Sequence, residues 1–425
     1  MKSWTIEPSG ALKGKIRVPG DKSVSHRSLL LNALAHGEAE VRGLLRARDV
    51  MATWSCLESL GVRIEDSGDV VRVYGRQGRL QEPDGVLDCG NSGTSFRLLC
   101  GVLAGQPFFS VLTGDQHLKK RPMRRVTEPL TQMGARFWGP QDAQFPPIGI
   151  HGGGLKAGVF HSKIASAQVK SAVMLAAIQG EGILRFREPH RSRDHTERMM
   201  RAMGIGIEED GDDLVVAGGQ QLQASSVVVP GDISSAAFFM VGALVVPGSD
   251  VILEGVGVNP TRSGVLDVLQ AMGGDIEVLE EDVISGEKIA TLRVRHSPLR
   301  ATRIDGALIP RLVDELPVLA VAAACAEGET VIADAAELRV KESDRIQATA
   351  DGLRANGIEV EEQPDGLRIN GGRLLGGRVN SAGDHRIAMA FAIAAMAGGR
   401  SQIDDVENVS TSFPQFRDLL MAAVT

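Results

Sequence analysis

One pattern recurs six times along this 425-residue chain, and it constrains the fold more than any other feature. An apolar, helix-like run leads into a Gly turn and then a β-rich segment. The copies are LLLNALAHGEAEVRG (29–43), RLLCGVLAGQPFFSVLTG (97–114), AVMLAAIQGEGILRF (172–186), FFMVGALVVPGSDVILEG (238–255), LAVAAACAEGETVIAD (319–334) and MAFAIAAMAGGRSQIDD (389–405). They start about 70 residues apart, too far for a solenoid repeat and suited to a supersecondary unit. A second, amphipathic helix follows, as in VMATWSCLESLGV and GVLDVLQAMGGDI, with apolar residues at i, i+3, i+4 and i+7 and a Gly at the end. Alternating segments such as DVVRVYG and GLRINGG read as strands. Each unit is therefore strand–helix–strand–helix–strand–strand, and the sixth stops after FPQFRDLLMAAV. The segment VPGDKSVS (18–25) echoes VPGDISSA (229–236), which divides the six units into two groups of three. The expected domains are residues 21–230, and 1–20 together with 231–425.

Composition agrees with layered α/β architecture. The chain is 43% hydrophobic, 4% aromatic and rich in Gly, with 50 residues. Its formal charge of −7 disfavours general nucleic-acid binding, which selects for positive surface. Cys56, Cys89, Cys100 and Cys325 lack C-x-x-C spacing, so neither a structural zinc nor a disulfide framework is expected. MKSWTIEPSG has no apolar signal-peptide core, and the longest apolar runs fall short of the ~20 residues of a membrane helix. A cytoplasmic, monomeric protein without nucleic-acid or membrane partners is expected.

Basic residues gather where loops enter helices, and helix N-termini already offer free N–H groups to anions. VPGDKSVSHRSLL places Lys22, Ser23 and Arg27 at one such junction. LDCGNSGTSFRLL is a Gly-rich turn in which Asn91, Gly93 and Thr94 can form an anion nest or an ordinary cap. LTGDQHLKKRPMRR holds Lys119, Lys120, Arg121, Arg124 and Arg125, a run that equally fits a solvated face. IASAQVKSAVM sets Ser166, Ala167 and Gln168 at the mouth of an apolar helix, and PHRSRDHTERMM carries Arg191, Arg193 and Arg198. His190 and His195 lack a third ligand at metal-binding spacing, so no metal is expected. Asp314 and Glu315 precede a helix that reads as fully buried, where carboxylates either cap it or act as a base. ELRVKESDR collects Arg339, Lys341, Glu342, Asp344 and Arg345, and AGDHRIAMAF adds His385 and Arg386 at a further helix start. Cations at helix starts in both halves suit a ligand with several negative charges. No P-loop is present and no G-x-G-x-x-G follows a strand, which disfavours nucleotide folds.

PGDKSVSHR, GNSGT, LTGDQHLKKRPM, ASAQVKSA, RDHTE, LRVKESDR and DHRIAM together resemble the 5-enolpyruvylshikimate-3-phosphate (EPSP) synthase family, in the family's order and across nearly the whole chain. ASAQVKSA with RDHTE is similar to the branch called class II, which implies a bacterial cytoplasm. The resemblance implies a two-domain enolpyruvyl transferase fold, each domain three βαβαββ units, an inside-out α/β barrel-like arrangement with ligands in an interdomain cleft. It implies transfer of the enolpyruvyl group of phosphoenolpyruvate to the 5-hydroxyl of shikimate 3-phosphate, with phosphate released and no cofactor. Lys22, Asn91, Gly93, Thr94, Arg121, Gln168, Arg345, His385 and Arg386 match positions around phosphoenolpyruvate. Lys22, Ser23, Arg27, Ser166, Ala167, Gln168, Arg193, Asp314 and Lys341 match positions around shikimate 3-phosphate. Lys22, Asp314 and Glu342 match the catalytic positions.

Two departures stand out. Where the family's other branch has a Lys before FP, this chain has Thr411, so one anion contact is replaced or missing. Gly93 is retained where class II relatives tend to carry Ala, which implies that glyphosate is a competitive inhibitor. One alternative is the sister family, UDP-N-acetylglucosamine enolpyruvyl transferase, but its loop Cys is absent from TGDQHLKKRPM. A non-catalytic phosphosugar-binding protein on the same scaffold is the other; it need not keep Lys22, Asp314 and Glu342 together.

Overall fold

Helices that are apolar around their whole circumference are stable only where every face is covered. Six such helices organise the computed structural model, which describes residues 2–8 and 10–425. They are α1 (Lys22–Leu34), α2 (Gly93–Ala104), α3 (Ala167–Ala177), α4 (Ile233–Val245), α5 (Leu316–Ala324) and α6 (His385–Ala397). All nine residues of α5 are buried, as is α1 from Val24 onward. Each belongs to one copy of the repeat.

Around each helix the strands follow one scheme. In the second copy Leu87–Asp88 lies parallel to Phe109–Thr113, which pairs antiparallel with Ile148–His151, and Arg136–Trp138 completes the sheet. A parallel pair needs a crossover, and α2 is that crossover. Five four-stranded sheets and one three-stranded sheet result among the described residues. Two of them take their first strand from far along the chain. Val227–Val228 lies parallel to Val41 and Arg42, and Lys13–Ile16 lies parallel to Asp250–Leu253. In the three-stranded sheet Ser3–Ile6 pairs antiparallel with Ser401–Asp404.

The chain forms two compact units, one of Gly20–Val229 with Ile284–Glu287, the other of Met1–Pro19, Pro230–Val283 and Lys288–Thr425. The four residues Ile284–Glu287, at the turn of a long hairpin, group with the first of these; the sequence gives no hint of that excursion. Each unit has its own apolar core. Close packing depends on small residues: a Cβ at Gly101 of α2 would fall 2.2 Å from the carbonyl oxygen of Ala172 on α3. No helix among the described residues is long and apolar enough to cross a membrane.

Candidate active site

Polar side chains cap the starts of most of these apolar helices. Asp21 accepts from the Val24 N–H at 2.8 Å, Asp384 from Arg386 N–H at 2.9 Å, and Ser92 from Ser95 N–H at 3.1 Å. Ser166 caps α3 at a longer 3.5 Å. A cap of this kind is worth about 1 kcal/mol and fixes where the chain enters the helix.

In the Gly20–Val229 unit, Arg27 is buried on α1. Its Nε donates to Thr196 Oγ1 at 2.6 Å, Nη2 to Ser171 Oγ at 2.8 Å and Nη1 to the Ser23 carbonyl at 3.1 Å. Burial pushes its pKa down to about 10 against the pull of Glu197 and Asp21, so it remains a cation at neutral pH. Lys22 Nζ lies 3.0 Å from Asp49 Oδ2. Behind it His26 is buried against Thr53 Oγ1 at 2.7 Å. Burial, then Lys22 and Arg27, hold its pKa well below the usual histidine value, and the imidazole is neutral.

The GNSGT turn is tied to two neighbouring segments. Asn91 donates to Asp115 Oδ2 at 2.7 Å and accepts from Arg121 Nη2 at 2.8 Å. Gln168 donates to Thr94 Oγ1 at 2.9 Å and accepts from Arg97 at 2.5 Å. Within the basic run only Arg121 is buried; Lys119, Lys120 and Arg124 are exposed and Arg125 is half-buried. Arg193 and Ala167 are half-buried, the former just ahead of the helix His195–Ala202. His195 Nδ1 is engaged by Glu287 Oε1 at 2.8 Å.

The second set of residues lies in the other unit, around Arg345. This guanidinium, 1% exposed, bonds to three carboxylates: Asp384 Oδ2 at 2.8 Å, Asp314 Oδ1 at 3.2 Å and Glu342 Oε2 at 2.5 Å. Burial works against its charge, but Asp384, Glu342 and Asp314 outweigh it and raise its pKa. Arg386 donates to the Asp314 carbonyl at 3.1 Å and lies 3.7 Å from Glu315 Oε1. Lys341 is half-buried, and desolvation lowers its pKa against the opposing pull of Asp314 and Glu337. His385 is buried beside Asp384, 4.0 Å away.

Glu315 resolves one choice left open by the sequence. It makes no side-chain cap on α5; it accepts two 2.8 Å hydrogen bonds from Arg262 and one from Ser234. Thr411 sits in a short 3₁₀ turn with its hydroxyl donating to Asn408 O at 2.6 Å. Asp49, Arg97, Asp115, Arg262 and Asp384 were missed by sequence reasoning. Asp384 carried a signal, as the residue before His385 at a helix start. Arg262 carried none, because NPTRSG reads as a plain turn.

The arrangement places buried arginines against hydroxyl and amide groups in one unit, and gathers carboxylates on one guanidinium in the other. That is the equipment for holding anions and for moving protons. The sequence profile of EPSP synthase (3-phosphoshikimate 1-carboxyvinyltransferase) matches residues 6–420. The chain belongs to the EPSP synthase family. It is 53% identical over 423 residues to the 3-phosphoshikimate 1-carboxyvinyltransferase of Geobacter metallireducens, covering 99% of each chain. To that of Gloeobacter violaceus it is 54% identical, covering 99% of this chain and 98% of the relative. The EPSP synthase structure from Acinetobacter baumannii superposes with a TM-score of 0.88 at 45% identity, over 100% of this chain and 98% of that one. As an EPSP synthase the chain has the mixed α/β enolpyruvyl transferase fold, and it is an enzyme of the shikimate pathway that transfers an enolpyruvyl group from phosphoenolpyruvate to shikimate 3-phosphate.

Proposed function

We propose that this EPSP synthase divides its reaction between the two sets of residues just described, and that its two units are the two three-repeat domains. Ser23, Arg27, Ser166, Ala167, Gln168, Arg193 and Lys341 hold shikimate 3-phosphate. Lys22, Asn91, Gly93, Thr94, Arg121, Gln168, Arg345, His385 and Arg386 hold phosphoenolpyruvate. Glyphosate competes with phosphoenolpyruvate, and the enzyme acts as a monomer.

The acceptor 5-hydroxyl attacks C2 of phosphoenolpyruvate and gives its proton to Asp314. C3 gains a proton from Glu342, which completes a tetrahedral intermediate. The C2–O bond to phosphate then breaks as C3 returns its proton to Glu342, the proton taken up by Asp314 leaves with the phosphate, and Lys22 neutralises the departing group. The observation that carries this reading is Arg345: one buried guanidinium holds Asp314 and Glu342 together, so both carboxylates have a charge partner and a fixed place. Positioning the reactants and the proton-transfer groups in this way is worth several kcal/mol of barrier.

Phosphate release from phosphoenolpyruvate tests it, with shikimate 3-phosphate as acceptor and UDP-N-acetylglucosamine as control. Release is expected with shikimate 3-phosphate alone. Release with the nucleotide sugar alone would keep the donor site and overturn the acceptor assignment.

A further inference from the structure

Next to the residues assigned to shikimate 3-phosphate lies a buried charged cluster that no step above uses. Lys170 on α3, its side chain 3% exposed, places its ammonium 2.7 Å from Glu197 Oε1 and 2.9 Å from Glu188 Oε1. It also donates to the Ser192 carbonyl at 3.1 Å. Glu188 Oε1 in turn accepts from Ser192 N at 2.8 Å and Ser192 Oγ at 2.9 Å. Burial opposes the charge on Lys170, but Glu197 and Glu188 outweigh it and keep its pKa raised.

As a stabilising device this is a poor choice. Packed apolar side chains of similar volume are often as stable as a buried ion cluster, or more so. Its geometry suggests a different purpose. The ammonium joins three elements: α3 one turn after Ser166–Gln168, the segment 188–194 that carries Arg193, and the helix His195–Ala202. Thr196 of that helix, beside Glu197, receives Arg27 Nε at 2.6 Å and lies 2.6 Å from Ser171 Oγ. Every element of this unit that is assigned to the phosphosugar, apart from α1 itself, is thus tied to one nitrogen atom.

We propose that Lys170 is a positioning residue for shikimate 3-phosphate: through Glu188, Ser192 and Glu197 it holds Arg193, the start of α3 and the partner of Arg27 in the one arrangement that receives the substrate's phosphate. This rests on the assignment of Ser166, Gln168, Arg193 and Arg27 to shikimate 3-phosphate. A misplacement of about 1 Å among such groups can cost up to about a hundredfold.

The test uses the full chain and the triple variant Lys170→Met, Glu188→Leu, Glu197→Leu, in which apolar packing replaces all three charges. A purely structural role predicts that this variant, once folded, behaves as wild type. The positioning role predicts cooperative unfolding near the wild-type midpoint, yet shikimate 3-phosphate binding by calorimetry weakened at least about tenfold. Its KM should rise in parallel while the KM for phosphoenolpyruvate stays within about twofold. Glu188→Gln keeps an oxygen for Ser192 and Lys170 and is the milder second variant, expected to raise only the shikimate 3-phosphate KM, by about threefold. Wild-type affinity in the folded triple variant, or equal changes in both KM values in either variant, would overturn the proposal. Arg193→Ala is the separate control: normal shikimate 3-phosphate binding there would remove the underlying assignment itself, and the positioning role with it.

Discussion

The loops VPGDKSVS and VPGDISSA begin equivalent helices in the two units, and they use their polar residues in opposite ways. In the first, Asp21 caps α1, Lys22 pairs with Asp49, and Arg27 further along bonds to hydroxyls and a carbonyl. In the second, Asp232 caps α4, but buried Ile233 stands where Lys22 stood. Ser234 there bonds to Glu315, whose charge is matched by Arg262. The contrast extends outward. Arg97 and Arg121 bond to the amides Gln168 and Asn91, whereas Arg345 bonds to three carboxylates. The Arg345 guanidinium fixes the place of all three. A single repeat scaffold thus carries two different charge arrangements, which the function proposed above uses chiefly for anion binding in one unit and for proton transfer in the other.

The sharpest way to break this comparison is to remove one group from each half. Asp314→Ala is expected to lower turnover by about 10³-fold or more while shikimate 3-phosphate still binds within a few-fold. Arg27→Ala should do the reverse, raising the KM for shikimate 3-phosphate by about two orders of magnitude with a much smaller change in kcat. Steady-state kinetics with each substrate varied decides it. Near-normal turnover in Asp314→Ala would take Asp314 out of the mechanism and dissolve the division.

Stability offers the next largest effect. Arg262→Met leaves Glu315 buried without its main counter-charge and should cost about 3–5 kcal/mol in denaturant unfolding. Arg191→Met, which removes an exposed pair with Glu209, should cost under about 1 kcal/mol. Adding Glu315→Leu to Arg262→Met should restore most of the loss. If the two arginine variants were equally mild, the buried network beneath Asp314 and Arg386 would not be the support it is taken to be.

Much of this was legible in the sequence, and the illegible part has a physical cause. The helices α1 to α6 announce themselves because an all-apolar run bounded by Gly has few other uses. The cations at their starts follow from the same segments. What a linear reading could not supply was the partner of each charge. Lys22 meets Asp49 across 27 residues and Arg262 meets Glu315 across 53, separations at which no helical or strand periodicity applies. For the same reason LKKRPMRR could not reveal that Arg121 alone would be buried. The first strands supplied by Val227–Val228 and Lys13–Ile16 were hidden too, since pairing partners that distant leave no local pattern.

A smaller effect concerns His26, which is buried near Lys22 and Arg27. Its folded pKa lies well below 6.5, because burial, Lys22 and Arg27 all oppose its protonation. The unfolded chain therefore binds the extra proton first as pH falls. The stability linked to His26 is fully present above about pH 6.5 and is lost below it, by about 1.4 kcal/mol per pH unit. Unfolding free energies measured from pH 7.5 to 5 should fall more steeply for wild type than for His26→Gln. Parallel profiles would show that His26 is not the neutral group described.

The finest probe is one methyl group at the edge of the anion nest. A Cβ at Gly93 would lie 3.1 Å from Arg97 Nη1 and 3.1 Å from Arg121 Nη1. These are the ends of long side chains, which could move, but Gln168 and Asn91 hold both in place. Gly93→Ala therefore shifts the ends of Arg97 and of Arg121, the latter proposed above to hold phosphoenolpyruvate, by a few tenths of an ångström, at a cost of about 1 kcal/mol. The KM for phosphoenolpyruvate should rise by a few-fold and kcat should hold, because Asp314 and Glu342, proposed above to transfer the protons, lie in the other unit. Glyphosate, longer than phosphoenolpyruvate, has less slack and should lose affinity by a larger factor, so its inhibition constant against varied phosphoenolpyruvate separates the two ligands. Equal losses for both would mean that the methyl acts through the arginines alone. Wild-type activity untouched by millimolar glyphosate would mean that the nest does not receive it at all.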